Sequence, residues 1–132
     1  MTTSLPQSTD GPEKEKSVFQ TRVPATIRLY LKGMAVVHYG TLKRFFDALL
    51  TQFMQQRPWE GDAPIDWMQP RSPHSVTNGR STVTNWRVIN LHLSDDVYDQ
   101  AERLIQQLGV SQAVFCYTAI YWWVKYIQPP KA

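Results

Sequence analysis

A single cysteine, Cys116, stands in 132 residues. One thiol excludes an internal disulfide and leaves no cysteine pair for a metal, so a reducing compartment suits the chain. The three histidines, His38, His74 and His92, are scattered without metal-ligand spacing. There is no phosphate-binding glycine loop and no nucleophile elbow. The N-terminal residues Met1 to Pro6 lack the basic region and apolar run of a secretory signal. Acid–base chemistry has one candidate cluster, Asp95, Asp96, Asp99 and Glu102. In the first turns of a helix such residues more commonly stabilise the dipole than catalyse. The sequence therefore reads as a non-enzyme, with no catalytic residue, no metal and no cofactor.

Acidic residues are also nearly missing from one region. Residues 21–57 carry Arg22, Arg28, Lys32, Lys43, Arg44 and Arg57 against Asp47 alone. Residues 84–132 balance four basic against four acidic side chains, so the net charge of +3 is unevenly spread. A basic region attracts phosphate by counterion release; its bland alternative is a solvated basic face.

What is present is an apolar fraction of 42%, enough for a core, with five tryptophans. At this length it fits one compact domain or two very small ones. Residues 1–20, rich in Pro, Ser, Thr and Gln with the run Glu13-Lys14-Glu15-Lys16, read as a disordered tail. Residues 58–83 hold Pro58, Pro64, Pro70 and Pro73 with Gly61 and Gly79, and read as a linker. Its Trp59, Ile65, Trp67 and Met68 are expected to lie on the core.

On either side of that linker a pattern recurs. In residues 84–128, Arg87 to Leu93 alternate as a strand, with Ile89, Leu91 and Leu93 on one face and Val88, Asn90 and His92 on the other. Ser94 is a candidate N-cap. Val97, Ala101, Leu104, Ile105 and Leu108 form a helical stripe that Gly109 ends. Ser111 caps a second, very apolar helix to about Ile127. Gln112, Thr118 and Lys125 interrupt that helix and Pro129 follows it, which favours a central core position over a membrane span. In residues 21–57, Ala25 to Leu31 read as the matching strand, with Thr26, Arg28 and Tyr30 on its open face. Gly40-Thr41 then lead into a helix whose apolar face runs from Leu42 to Phe53. Between strand and glycine the first copy is about two helical turns shorter than the second, so its first helix is expected to be short or irregular.

Residues 86–127, with the alternating strand, the run LSDDVYDQAERL and the Gly-Val-Ser turn, resemble the ribbon-helix-helix superfamily of MetJ and Arc. Two such units in one chain resemble, in architecture, accessory proteins of conjugation and T-DNA processing. The resemblance implies a mainly α fold with a two-stranded antiparallel β-ribbon, a single-chain pseudo-dimeric ribbon-helix-helix. It also implies that the ribbon enters the major groove of double-stranded DNA. Carried onto this chain, base readers would be Thr26, Arg28 and Tyr30 from one strand and Val88, Asn90 and His92 from the other. Phosphate would be held at the starts of the second helices by Gly40, Thr41 and Lys43 and by Val110, Ser111 and Gln112, with Lys32 and Arg44 adding charge.

The expectation is a sequence-selective DNA binder in the cytoplasm. It would serve as an accessory factor of conjugative or mobile-element transfer, or as a transcriptional repressor. A relaxase or other transfer protein is a second candidate partner, and the chain would act as a monomer or as a further homo-oligomer on DNA. The alternative is a protein-interaction module that docks a partner on Trp59, Trp67, Trp122 and Trp123 without touching DNA.

Overall fold

The computed structural model describes residues 17–130. Two strands, β1 (Val18–Pro24) and β4 (Trp86–His92), pair antiparallel in one sheet. Two short strands, β2 (His74–Thr77) and β3 (Arg80–Val83), form a separate hairpin. Helix α1 (Ala25–Met34) follows β1 directly and widens into a π-helical turn over Ala35–Tyr39. Helix α2 covers Leu42–Gln56. After β4 come α3 (Asp95–Leu108) and α4 (Gln112–Trp122), the latter continued by a π-helical turn at Trp123–Ile127.

This corrects the expected architecture. Among the described residues there are four α-helices and two separate two-stranded sheets, not one ribbon with a simple pseudo-dimeric ribbon-helix-helix around it. The segment Ala25 to Leu31, expected as a strand, is helical. Its apolar residues Ile27, Tyr30, Leu31 and Met34 also fall at spacings of three and four, and all four join or pack against the core. Pro24 decides between the two periods. It lacks a backbone N–H and, with φ −58° and ψ 147°, is still extended at the cap of a helix that starts at Ala25. The residue before proline is held extended, so Val23 stays in a strand that closes at Pro24. The strand therefore lies seven positions earlier than expected, and α1 with its π-helical turn fills the length that the repeat lacked.

Two expected boundaries shift with it. Ser17 to Gln20, assigned to the tail, contribute the buried Phe19 and the start of β1, while the rest of that tail lies outside the described residues. The linker 58–83 contains the β2–β3 hairpin.

The core lies beneath the β1–β4 sheet. Phe19, Thr21 and Val23 point inward from β1 and Ile89 and Leu91 from β4. They meet Phe45, Phe46, Leu49, Leu50 and Phe53 of α2 and Phe115, Ala119 and Ile120 of α4. Helix α4 is apolar nearly all round because it is central, as the sequence suggests. Among the described residues no helix is long and apolar enough to cross a membrane. Trp59, Ile65 and Trp67 of the proline-rich segment pack on this core. The Met68 amide donates to the buried Thr118 hydroxyl at 2.9 Å, tying the segment to α4.

Candidate nucleic-acid interface

Side chains alternate along a strand, so closing one face of the β1–β4 sheet with core leaves the other face free. That outer face presents Val18, Gln20 and Arg22 from β1 beside His92, Asn90 and Val88 from β4. Gln20 lies opposite Asn90, and its Nε2 donates to Asn90 Oδ1 at 3.1 Å. Arg22 lies opposite Val88, which is 40% exposed. The face itself carries no carboxylate; Asp95 and Asp96 are exposed beyond its His92 end.

Three of the six expected base-reading residues, Val88, Asn90 and His92, are thus on this exposed face. The other three are not. Thr26 is exposed on α1, while Arg28 and Tyr30 are partly buried on it. Tyr30 donates its hydroxyl to the Gln128 carbonyl at 2.6 Å, and burial pushes its pKa up. Arg28 has its Nε buried without a hydrogen-bond partner. A helix under the sheet cannot supply the open face of the strand that precedes it. Gln20 and Arg22 hold those places instead. The signal for them was present in the alternation of Phe19, Thr21 and Val23, immediately before a proline.

Helix α4 begins close to this sheet, and α2 is tied by its second turn to the chain leaving β4. Thr21 Oγ1 donates to the Ala113 carbonyl at 2.7 Å, which sets the first turn of α4 under the middle of β1. Asp47 Oδ1 accepts the Ser94 amide at 2.9 Å, which ties α2 to the end of β4. Ser17 Oγ donates to Asp95 Oδ1 at that same end of the sheet.

Thr41 and Ser111 cap α2 and α4, accepting from the amides of Arg44 and Val114 at 3.1 Å each. Gly40 has a φ of 86°, a left-handed conformation that a side chain would strain. Lys32, Lys43, Arg44 and Gln112 are exposed, and Val110 is half-buried. The Arg57 guanidinium is engaged differently. It pairs with Glu60 at 2.7 Å and lies 5.0 Å from the Trp59 ring centroid. The Glu60 hydrogen bond raises the Arg57 pKa and lowers that of Glu60.

The tryptophans expected to form a docking surface are elsewhere. Trp122 and Trp123 are 4% and 2% exposed, and Trp59 and Trp67 are half-buried against Phe53. The exposed apolar side chains of α1 and its π-helical turn are Leu29, Val36 and Val37, each more than two-thirds exposed. Cys116 is buried, and desolvation holds its thiol well above the ordinary range. Among the described residues no group of three or more His, Cys, Asp or Glu side chains could hold a metal ion. No protein-family model, no curated protein and no solved structure matches this chain.

Proposed function

We propose that this protein binds double-stranded DNA sequence-selectively, laying the β1–β4 pair into the major groove with its outer face toward the bases. The observation that carries the reading is the composition of that face: Gln20, Arg22 and Asn90 side by side, no acid among them, on a two-stranded sheet closed by core on its other side. These are the side chains that pair with base edges, arginine with guanine and the amides with adenine. Val88 is suited to a thymine methyl. A groove about 12 Å wide admits two strands. The likeness of residues 86–127 to ribbon-helix-helix proteins supports the same placement. Phosphates would be held by the starts of α2 and α4, through Thr41, Lys43 and Arg44 and through Ser111 and Gln112.

In this reading the protein works in the cytoplasm, as an accessory factor of conjugative or mobile-element transfer or as a repressor, with a relaxase as a further partner in the first case. The test is selection of bound duplexes from a random library, followed by a salt titration of the winner. Binding is expected to fall steeply with salt. Arg22→Ala and Asn90→Ala should relax base preference at one position each, and Lys43→Ala should weaken all duplexes alike. Enrichment of no sequence, or equal selection by the Arg22 variant, would overturn base reading. The protein-docking alternative keeps one observation, the exposed Leu29, Val36 and Val37. It predicts no duplex affinity at physiological salt.

A further inference from the structure

We propose that the β2–β3 hairpin is a second DNA-contacting element, gripping the sugar–phosphate backbone beside the β1–β4 site on one flank only. The inference rests on the DNA-binding reading above and extends it to a surface outside the sheet. All eight strand residues of the hairpin are exposed, with Val76 at 73% and Val83 at 70%. The core makes no use of them. A hairpin of this size is marginal in water by itself. This one is set by its turn and its base. Asn78 and Gly79 both take positive φ, 54° and 76°, the turn that matches the twist of a two-residue hairpin. At the base, the Thr84 amide donates to the Pro73 carbonyl at 2.8 Å and its hydroxyl to the Ser72 carbonyl at 2.7 Å.

The hairpin is joined to the proposed reading surface by two residues. Val83 ends β3 and Trp86 begins β4, and between them the Asn85 carbonyl accepts the Ala25 amide at 2.8 Å. The hairpin therefore leaves the molecule at the end of the sheet where Pro24 faces Trp86. Four residues at ~3.4 Å each project about 14 Å. With ~3.4 Å of duplex axis per base pair, that reach, laid along the axis, covers roughly four base pairs of flanking duplex.

Its chemistry suits phosphate. From residue 67 to residue 94 there are three arginines and no acid. Arg87 is occupied, its Nη1 donating to the Thr84 and Trp86 carbonyls, while Arg71 and Arg80 are exposed. One hairpin face pairs Thr77 with Arg80 and Ser75 with Thr82, and Asn78 stands at the tip. Arginine, hydroxyl and amide donors are those that proteins direct to DNA backbone oxygens. Val76 and Val83 stand on the opposite face, so the donors form one continuous face that no carboxylate interrupts, which favours phosphate as its occupant.

The experiment uses the full chain and a duplex that it selects from a random library, with hydroxyl-radical footprinting and a salt titration by fluorescence anisotropy. Arg80→Ala should weaken binding about fivefold at low salt for every duplex and reduce the salt slope by about one. The double variant Arg71→Ala/Arg80→Ala should also lose protection of about four base pairs on one flank. Base preference should not change in either. Both residues are exposed, and unchanged melting temperatures will show that the variants fold. Arg22→Ala should do the reverse, relaxing base preference while keeping flank protection. A wild-type footprint without a one-sided extension, or an Arg80 variant with unaltered affinity and salt slope, overturns the hairpin's role. The sheet reading survives that result if Arg22→Ala still relaxes selection. A wild-type chain that binds no duplex overturns both.

Discussion

Phe53 is the side chain on which the packing of the proline-rich segment depends. Its ring centroid lies 5.0 Å from Trp59, 6.1 Å from Trp67, 5.3 Å from Phe115 and 5.5 Å from Trp122. Truncation to alanine leaves a cavity that rigid neighbours cannot close, and Phe53→Ala should cost about 3–5 kcal/mol by urea unfolding. A cost below about 1 kcal/mol would show that the segment is not anchored there. Cys116 gives a second prediction with a definite sign. Burial raises its pKa above the ordinary 9.0, so folding favours the protonated thiol. The stability this contributes is complete below pH 9.0 and is lost as pH rises beyond it. Tyr117, whose pKa burial also raises, acts in the same direction from pH 10.0 upward. The melting temperature should therefore fall more steeply between pH 9 and 10 in the wild type than in Cys116→Ala. Equal slopes would remove the thiol from the account. At this scale the sequence is informative: Cys116 stands among Val114, Phe115 and Tyr117 in an apolar helix, the setting of a packed thiol, and it is buried. What they could not announce was that Trp122 and Trp123 face inward, because a helix apolar on every side does not say which side meets solvent.

At the scale of the element, start signals outperformed periodicity. The alternation of residues 87–93 placed β4 within one residue of Trp86–His92, and Ser94, Gly109 and Ser111 placed the ends of α3 and the start of α4. Ala25 to Leu31 misled because apolar residues at 27, 29 and 31 satisfy a strand while those at 27, 30, 31 and 34 satisfy a helix. The proline at 24 was the better guide, since backbone sterics act whatever the side-chain pattern. The hairpin was legible from Asn78-Gly79 between Ser-Val-Thr and Arg-Ser-Thr-Val, but the proline density around it hid the signal. Caps give this scale its prediction. Thr41 and Ser111 accept real capping bonds, whereas the Ser94 side chain makes none. Thr41→Ala and Ser111→Ala should each cost about 1 kcal/mol by chemical denaturation, and Ser94→Ala distinctly less. An equal loss at Ser94 would mean that helix α3 depends on that hydroxyl after all. The glycine at 109, with a φ of 73°, should tolerate alanine poorly for the same kind of local reason.

For the molecule as a whole, the consequence of building the sheet from one chain is asymmetry. A homodimer would present the same residues twice about a two-fold axis. Here β1 offers Gln20 and Arg22 while β4 offers Val88, Asn90 and His92, so under the proposed function the two halves of a bound site would not be read alike. Charge is also unequal, with Lys43 and Arg44 at the start of α2 and no basic residue in the first turn of α4. Such a molecule should occupy its site in one orientation. The buried thiol makes this measurable, because a surface cysteine introduced at the exposed His38, two residues before Gly40, becomes the reactive one. A DNA-cleaving reagent attached to His38→Cys should cut on one side of the selected site. Inverting the site within a longer duplex should move the cuts to the other side. Equal cutting on both sides would show that the chain binds in two orientations or as a symmetric pair, and the difference between β1 and β4 would then carry no sequence information.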